Sequence, residues 1–422
     1  MLKILNNKLF RNIALMSSAT VAAQMINVVI QPILTRIVPA ETLGVFTFLV
    51  SMANIAIPVA SLKLDLLITS EADDNRAQYI TDVCIVVTTI ISLIFLLVIS
   101  GGYLMRANIF CQYGPIIFTV PLMVLTNGVR FLFISYNNRY RQYKIIGLIG
   151  ILRELTRGCI QIVSGLLTFG ALGQVAGYAL APISGIKKQT KEYVLKFKKR
   201  QTLDYVTFKD IIIKGKKQII YLVPAQFLNS FSSSLVIIFI SMLYSTEQLG
   251  YYSAGVRLLE VPMIFITANV SKVFYKQISE DVNLHNSVLP KFVKISFALL
   301  LISTLAFGTL YFIAPQFSRI VFGKGYEVAG DYIRCLCLMY LVRMVATSFT
   351  GFFTIFGKQQ IELGLNIFLI VAASVVYMVS RKTDLPIISF MWLISISYSI
   401  MYLTLWLGYF SLCRTHDLKI KK

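Results

Sequence analysis

Six arginines, Arg130, Arg153, Arg157, Arg257, Arg334 and Arg343, stand inside stretches otherwise apolar enough to cross a membrane, and no lysine sits so far from a span end. A charge at the bilayer centre costs about 2.5–3.5 kcal/mol on insertion scales. Such residues therefore face a protein interior or a water-filled cavity. Guanidinium is a planar fork that matches phosphate and carboxylate bidentately, whereas lysine is a point charge. The chemistry open to these residues is to hold an anionic ligand, with phosphate the best match.

Their spacing ranks them. Arg153 and Arg157 are four apart and share a helix face. Arg157 lies about 18 Å along its span from Ile145, near the midplane. Glu154 can pair with Arg157 at i,i+3, and Arg257 with Glu260 likewise, so structural ion pairing competes with ligand binding at both places. Arg343 has no acidic residue within a turn and needs a partner from another helix or a ligand. Arg157 and Arg343 are the leading candidates, with Arg153 and Arg257 beside them. Arg130 and Arg334 lie nearer span ends, where snorkelling explains them. Glu154 and Glu260, the central acids, are the candidates for carrying a coupling proton or sodium ion. Ser17, Thr20, Gln24, Asn27 and Gln31 recur every three or four residues and line one face of the first span, and Gln226 and Asn229 hold the equivalent place in the seventh. These polar residues either bond helices together or line a cavity. Most tyrosines read as interface anchors and core, although Tyr136 or Tyr340 could stack on sugar rings.

The elements that must position these residues are transmembrane helices. The chain is 57% hydrophobic and only 14% charged, against about 25% in soluble domains. Twelve spans of roughly 20 residues are expected, near 12–35, 42–63, 80–103, 114–134, 145–167, 169–186, 218–243, 248–272, 292–314, 331–356, 361–380 and 385–411. The basic first eleven residues resemble a signal peptide, but the apolar stretch after them is long enough to be a retained span. A net charge of +21 would ordinarily suggest nucleic acid. Here about 28 of the 40 basic residues fall in cytoplasmic segments if both termini are cytoplasmic, the asymmetry of the positive-inside rule. No nucleic-acid partner is expected; membrane lipid is. The six cysteines are scattered and the two histidines lie far apart, so neither a metal site nor a cofactor is expected.

The basic segment 187–217 separates an N-terminal six-helix half, 1–186, from a C-terminal one, 218–422. It reads as a solvated topology-setting loop or as a helix lying on anionic headgroups. Ala23-Gln24-Met25-Ile26-Asn27 matches Ala225-Gln226-Phe227-Leu228-Asn229, and Glu41-Thr42-Leu43-Gly44 matches Glu247-Gln248-Leu249-Gly250 in the same order. Six spans return the chain to its starting side, so the halves are expected to be related by a pseudo-two-fold along the membrane normal. Transporters built this way bind substrate between their halves and rock to alternate access.

The chain resembles polysaccharide-unit flippases of the Wzx type, within the multidrug/oligosaccharidyl-lipid/polysaccharide (MOP) exporter superfamily. The resemblance rests on Gln24 through Leu34-Thr35-Arg36 to Leu43-Gly44, on Asn138-Arg139-Tyr140-Arg141-Gln142-Tyr143-Lys144, on Leu249-Gly250-Tyr251-Tyr252-Ser253-Ala254 through Arg257, Pro262 and Ser271, and on Phe322-Gly323-Lys324-Gly325-Tyr326. It implies an all-α, MATE-like integral membrane fold in the bacterial cytoplasmic (inner) membrane. It also implies ion-coupled alternating access that moves an undecaprenyl-diphosphate-linked oligosaccharide, such as an O-antigen (lipopolysaccharide) or capsule repeat unit, to the outer leaflet. A polysaccharide polymerase or export complex would be a further partner. The diphosphate would engage cavity arginines and the lipid tail would stay in the bilayer.

Three other readings compete. An organic-cation exporter of the same superfamily would want an acidic cavity, the opposite of the charge here. A lipid II flippase typically has two more spans. A membrane glycosyltransferase or polymerase would need catalytic carboxylates or histidines in a substantial loop, and the longest expected outer loop, near 315–330, offers only Arg319, Lys324 and Glu327.

Overall fold

A computed structural model describes residues 8–197, 205–358 and 360–420, and no strand occurs among them. The first seven residues, and Lys198, Lys199 and Arg200 of the basic segment, lie outside the described residues. The main helices are α1 (Lys8–Ile37), α2 (Ala40–Ala56), α3 (Asp74–Leu104), α4 (Val120–Arg139), α5 (Tyr143–Leu166), α6 (Gly170–Leu180), α7 (Val223–Leu243), α8 (Thr246–Asn283), α9 (Leu289–Phe322), α10 (Glu327–Thr347), α11 (Gln360–Thr383) and α12 (Ile387–Ile420). Helices α3 and α8 start on a side-chain cap. Asp73 accepts hydrogen bonds from the amides of Asn75 and Arg76 at the head of α3, and Ser245 accepts one from Gln248 at the head of α8.

Among the described residues, nine helical stretches are long and apolar enough to cross a membrane. The protein is thus a multi-pass membrane protein. Twelve such stretches were expected. The fifth is absent from the nine because every eighteen-residue window of α5 contains Arg153, Glu154 and Arg157. The sixth is absent because α6 has only 11 residues. The eighth is absent because the stretch of α8 whose side chains are all described, residues 246–263, contains Glu247, Arg257 and Glu260. Boundaries moved too. The second span was expected to run to residue 63, but α2 stops at Ala56 and a 3-10 turn containing Pro58 follows, since proline lacks the N–H that a continuing helix requires.

The chain divides into two compact units, Met1–Ser241 and Met242–Lys422. Helix α7 lies almost wholly in the first unit. Ser234 Oγ donates to the carbonyl of Ser51 at 3.2 Å, and Ser241 Oγ meets Gln112 Nε2 at 3.0 Å and the Tyr113 hydroxyl at 2.5 Å.

Within the first unit α4 packs against α2, α3 and α6, and α5 against α6. Within the second, α10 packs against α8, α9 and α12, and α11 against α12. Counted from α1 and from α7, the four pairings coincide, so the sequence repeat has a counterpart in helix packing.

The basic segment is not simply a solvated loop. It forms helices at Ile186–Gln189, Lys191–Phe197 and Tyr205–Lys214. Tyr193 bonds Asp82, Glu192 bonds Gln142, and Ile211 is buried with Leu64, Ile68, Ile80 and Val83. At the other end of the chain, Asp417 on α12 accepts from the amides of Val288 and Leu289 at 2.9 and 3.1 Å and so caps α9. In the second unit an apolar groove of about 320 Å³ runs between α9, α10 and α12, lined by Val293, Phe297, Leu300, Val342 and Trp406 among others. Trp406 Nε1 donates to Ser296 Oγ at 3.0 Å, and its ring stacks on Phe292 and Phe410.

Candidate functional site

The first unit gathers its charges where α1 and α5 meet. Two glycines on α5 let the helices close: a Cβ at Gly147 would stand 2.6 Å from Ala19 Cβ, and one at Gly158 would stand 2.1 Å from Ile30 Cδ1. That approach brings Asn27 on α1 against Arg157 on α5, with Arg157 Nη2 donating to Asn27 Oδ1 at 2.7 Å. Gln31 Nε2 donates to the same oxygen at 3.4 Å. Glu154 sits between two guanidiniums, ion-paired to Arg153 and, at 2.6 Å, to Arg157. Gln24 is half-buried on the same helix as Asn27 and makes no hydrogen bond among the described residues.

Two more residues join from elsewhere. Arg130 on α4 has its guanidinium 4.2 Å from the Phe131 ring centroid and lies within electrostatic reach of Arg153 and Glu154. Tyr178 on α6 lies within reach of Arg130, Arg153, Arg157 and Glu154, while its hydroxyl donates to Asn54 Oδ1 at 3.2 Å. Three guanidiniums therefore surround one carboxylate, an excess of two positive charges. The Nε groups of Arg130, Arg153 and Arg157 are all buried with no hydrogen-bond partner among the described residues. Buried donors without partners cost about 1–3 kcal/mol each, and an anion would satisfy them.

The second unit carries a different arrangement. Arg343 on α10 lies 5.3 Å from the Tyr340 ring centroid and 6.0 Å from that of Tyr402 on α12, and its Nε is buried without a hydrogen-bond partner. Glu260 on α8 is within electrostatic reach of Arg343 and Arg257. Where the sequence left the partner of Arg343 open, the structure supplies tyrosine rings. Gln226 is half-buried and Asn229 exposed on α7. Among the described residues, no hydrogen bond or ion pair ties either side chain to a cluster.

Three expectations change. Arg130 is not at a helix end, because α4 continues to Arg139 rather than stopping near 134. Tyr136 and Tyr340 are 0% and 2% exposed and cannot offer a face to a sugar. Tyr136 packs against Phe133, Tyr140 and Tyr193. Arg334 is held, not snorkelling freely: Pro315 deprives the Tyr311 carbonyl of its helical donor, and Arg334 Nε donates to it at 3.0 Å. Arg139, in one of the motifs that carry the family resemblance, is structural as well. It donates to the carbonyls of Ile68, Glu71 and Ala72 and to Asp74, tying the 68–74 turn to α4. Tyr326, from another such motif and outside the spans, packs on Tyr251 and Phe322, and burial pushes its hydroxyl pKa upward. Among the described residues no group of histidine, cysteine, aspartate and glutamate could hold a metal ion.

A family model described as polysaccharide biosynthesis protein matches residues 9–280. The chain belongs to that family. A comparison with curated proteins finds no match. Solved structures show where the chain stands in fold. It is similar to the lipid II flippase MurJ in an inward closed conformation, with a TM-score of 0.70 at 13% identity over 96% of this chain and 90% of that one. It is also similar to a multidrug resistance MATE family transporter of the MOP superfamily, inward-facing, with a TM-score of 0.57 at 16% identity over 96% and 95% of the two chains. A MOP superfamily transporter from Pyrococcus furiosus, described as having a binding pocket of reverse polarity, matches with a TM-score of 0.54 at 15% identity over 97% and 96%. The fold is accordingly all-α and MATE-like.

Proposed function

We propose that the protein is a flippase that carries an undecaprenyl-diphosphate-linked oligosaccharide from the cytoplasmic to the outer leaflet of the bacterial cytoplasmic membrane. The observation that carries this reading is the cluster of Arg130, Arg153 and Arg157 around Glu154, with its excess positive charge and unpartnered Nε donors. A diphosphate supplies the missing acceptors in the planar geometry guanidinium prefers. Membership of a polysaccharide biosynthesis family and likeness to a structure named as a lipid II flippase support a lipid-linked saccharide as cargo. Arg343 and Arg257 are the anion-facing candidates in the second unit. Gln24, Asn27, Gln226 and Asn229 are candidates for contacts to sugar hydroxyls. O-antigen and capsule repeat units both have the required chemistry.

Coupling to an ion falls on Glu260 rather than Glu154. Glu154 is clamped by two arginines, whereas Glu260 has arginines within electrostatic reach but no ion pair within 4 Å among the described residues. An organic-cation exporter would need the opposite sign of charge at these clusters, and a polymerase would need a catalytic set that neither cluster provides.

The test is deletion of the gene followed by assay of surface glycan and of lipid-linked repeat units. Complete units accumulating on the cytoplasmic face, with surface glycan lost, are expected. Arg157→Ala and Arg343→Ala should each fail to restore export while inserting and accumulating normally. Unchanged glycan in the deletion strain sinks the cargo assignment, and normal export by both variants sinks the site.

A further inference from the structure

The helix Tyr205–Lys214 is fastened on one face and bare on the other. On its docked side Ile211 is 1% exposed in the core with Leu64 and Ile80, and Phe208 and Ile212 pack against that core. Gly215 extends this face: a Cβ there would stand 2.1 Å from Leu64 Cδ2, so the segment lies flush on the first unit. Asp210 is ion-paired to Arg76, which also pairs with Glu71 at 3.3 Å. The docking fixes the rotation of the helix and thereby what it shows outward.

At about 100° per residue, Val206 and Ile213 fall on one line opposite the docked face. They are 73% and 59% exposed. Lys209 and Lys216 flank this line on one side, Lys214 and Lys217 on the other, and all four are exposed. The one acidic residue of the helix, Asp210, is already paired. The next turn, Gln218–Leu222, presents exposed Ile220, Tyr221 and Leu222 and opens an apolar span. The bare face therefore lies where the chain enters the bilayer, with an apolar strip between two rows of lysines that make no ion pair among the described residues. In water alone that strip has no use. At a bilayer surface its side chains reach the acyl boundary while the lysines meet headgroups.

We propose that Val206 and Ile213 insert into the interfacial layer of an anionic phospholipid leaflet, with Lys209, Lys214, Lys216 and Lys217 bound to its phosphates. The segment is a lipid-reading surface, separate from the arginine clusters and independent of what the protein carries.

The test places a nitroxide at Ile213→Cys in the full-length chain, its native cysteines replaced. The protein is reconstituted into nanodiscs of phosphatidylcholine alone or mixed with phosphatidylglycerol. Collision with oxygen should rise, and with a water-soluble nickel chelate fall, in the phosphatidylglycerol discs relative to the neutral ones. Each of Lys209→Gln and Lys216→Gln should lower the immersed-to-exposed ratio about fivefold, and added salt should lower it further. High nickel-chelate access in both disc types overturns the proposal. Equal immersion in both overturns it too, since the lysines would then contribute nothing. Because the lipid comparison uses unaltered lysines, it stands even if a variant fails to fold.

Discussion

Glu154 is 6% exposed and, among the described residues, is the one carboxylate ion-paired to the arginines of its cluster. Breaking a buried ion pair by removing one partner costs about 3–5 kcal/mol, because the other charge is left uncompensated. Glu154→Gln should therefore lower the thermal midpoint of the purified protein markedly, and adding Arg153→Gln should recover part of the loss. Recovery of nothing would show that the carboxylate holds α5 by some other contact. Arg157→Lys should keep the charge but lose the simultaneous reach to Asn27 and Glu154, leaving export well above that of Arg157→Ala and well below wild type. Spacing along one helix made Arg153, Glu154 and Arg157 legible from sequence. Arg130 and Tyr178 were not legible as members, because each comes from a different helix and periodicity carries no information across helices. Arg343 was legible as a charge without a local partner, but the rings of Tyr340 and Tyr402 that surround it were not.

At the scale of elements, α9 illustrates how a helix defect is managed. Pro315 leaves the Tyr311 carbonyl without its donor, and Arg334 from α10 supplies one at 3.0 Å, with a further bond to the Phe312 carbonyl at 3.4 Å. Gly330 makes room for this, since a Cβ there would stand 2.4 Å from Pro315 Cα. Arg334→Ala should destabilise by about 1–2 kcal/mol. In a Pro315→Ala background the helix satisfies its own carbonyl, and the same change should then cost much less. A thermal-melt double-mutant cycle measures this, and equal costs in the two backgrounds would remove the carbonyl from the explanation. Gly158→Val should wedge α1 from α5 and separate Asn27 from Arg157, which loss of accumulation or of a 27–157 crosslink would report. The prolines and glycines themselves were visible in sequence. What each one abuts was not, since that depends on which helix lies across from it.

At the scale of the molecule, four helix pairings within α1 to α6 recur within α7 to α12, in line with the paired A-Q-x-x-N and E-x-L-G fragments, while the close α1–α5 pairing is not among those four. The basic segment was legible as the midpoint of the chain but not as a docked element, because its lysines outweigh Ile211 and Gly215 in any composition window. Single cysteines at Lys209 and Lys324 should be labelled from opposite sides of the membrane, the first from the cytoplasm; labelling of both from one side would overturn the orientation. The groove between α9, α10 and α12 has an optical consequence. One of the chain's two tryptophans, Trp406, lines it, with its indole N–H on Ser296 and its ring between Phe292 and Phe410. With Trp392 replaced by phenylalanine, the remaining emission is an internal gauge of the spacing between α9 and α12. Brominated acyl chains entering the groove would dim it, and parting of the two helices would redden it, so the working cycle can be followed by light without attaching a dye.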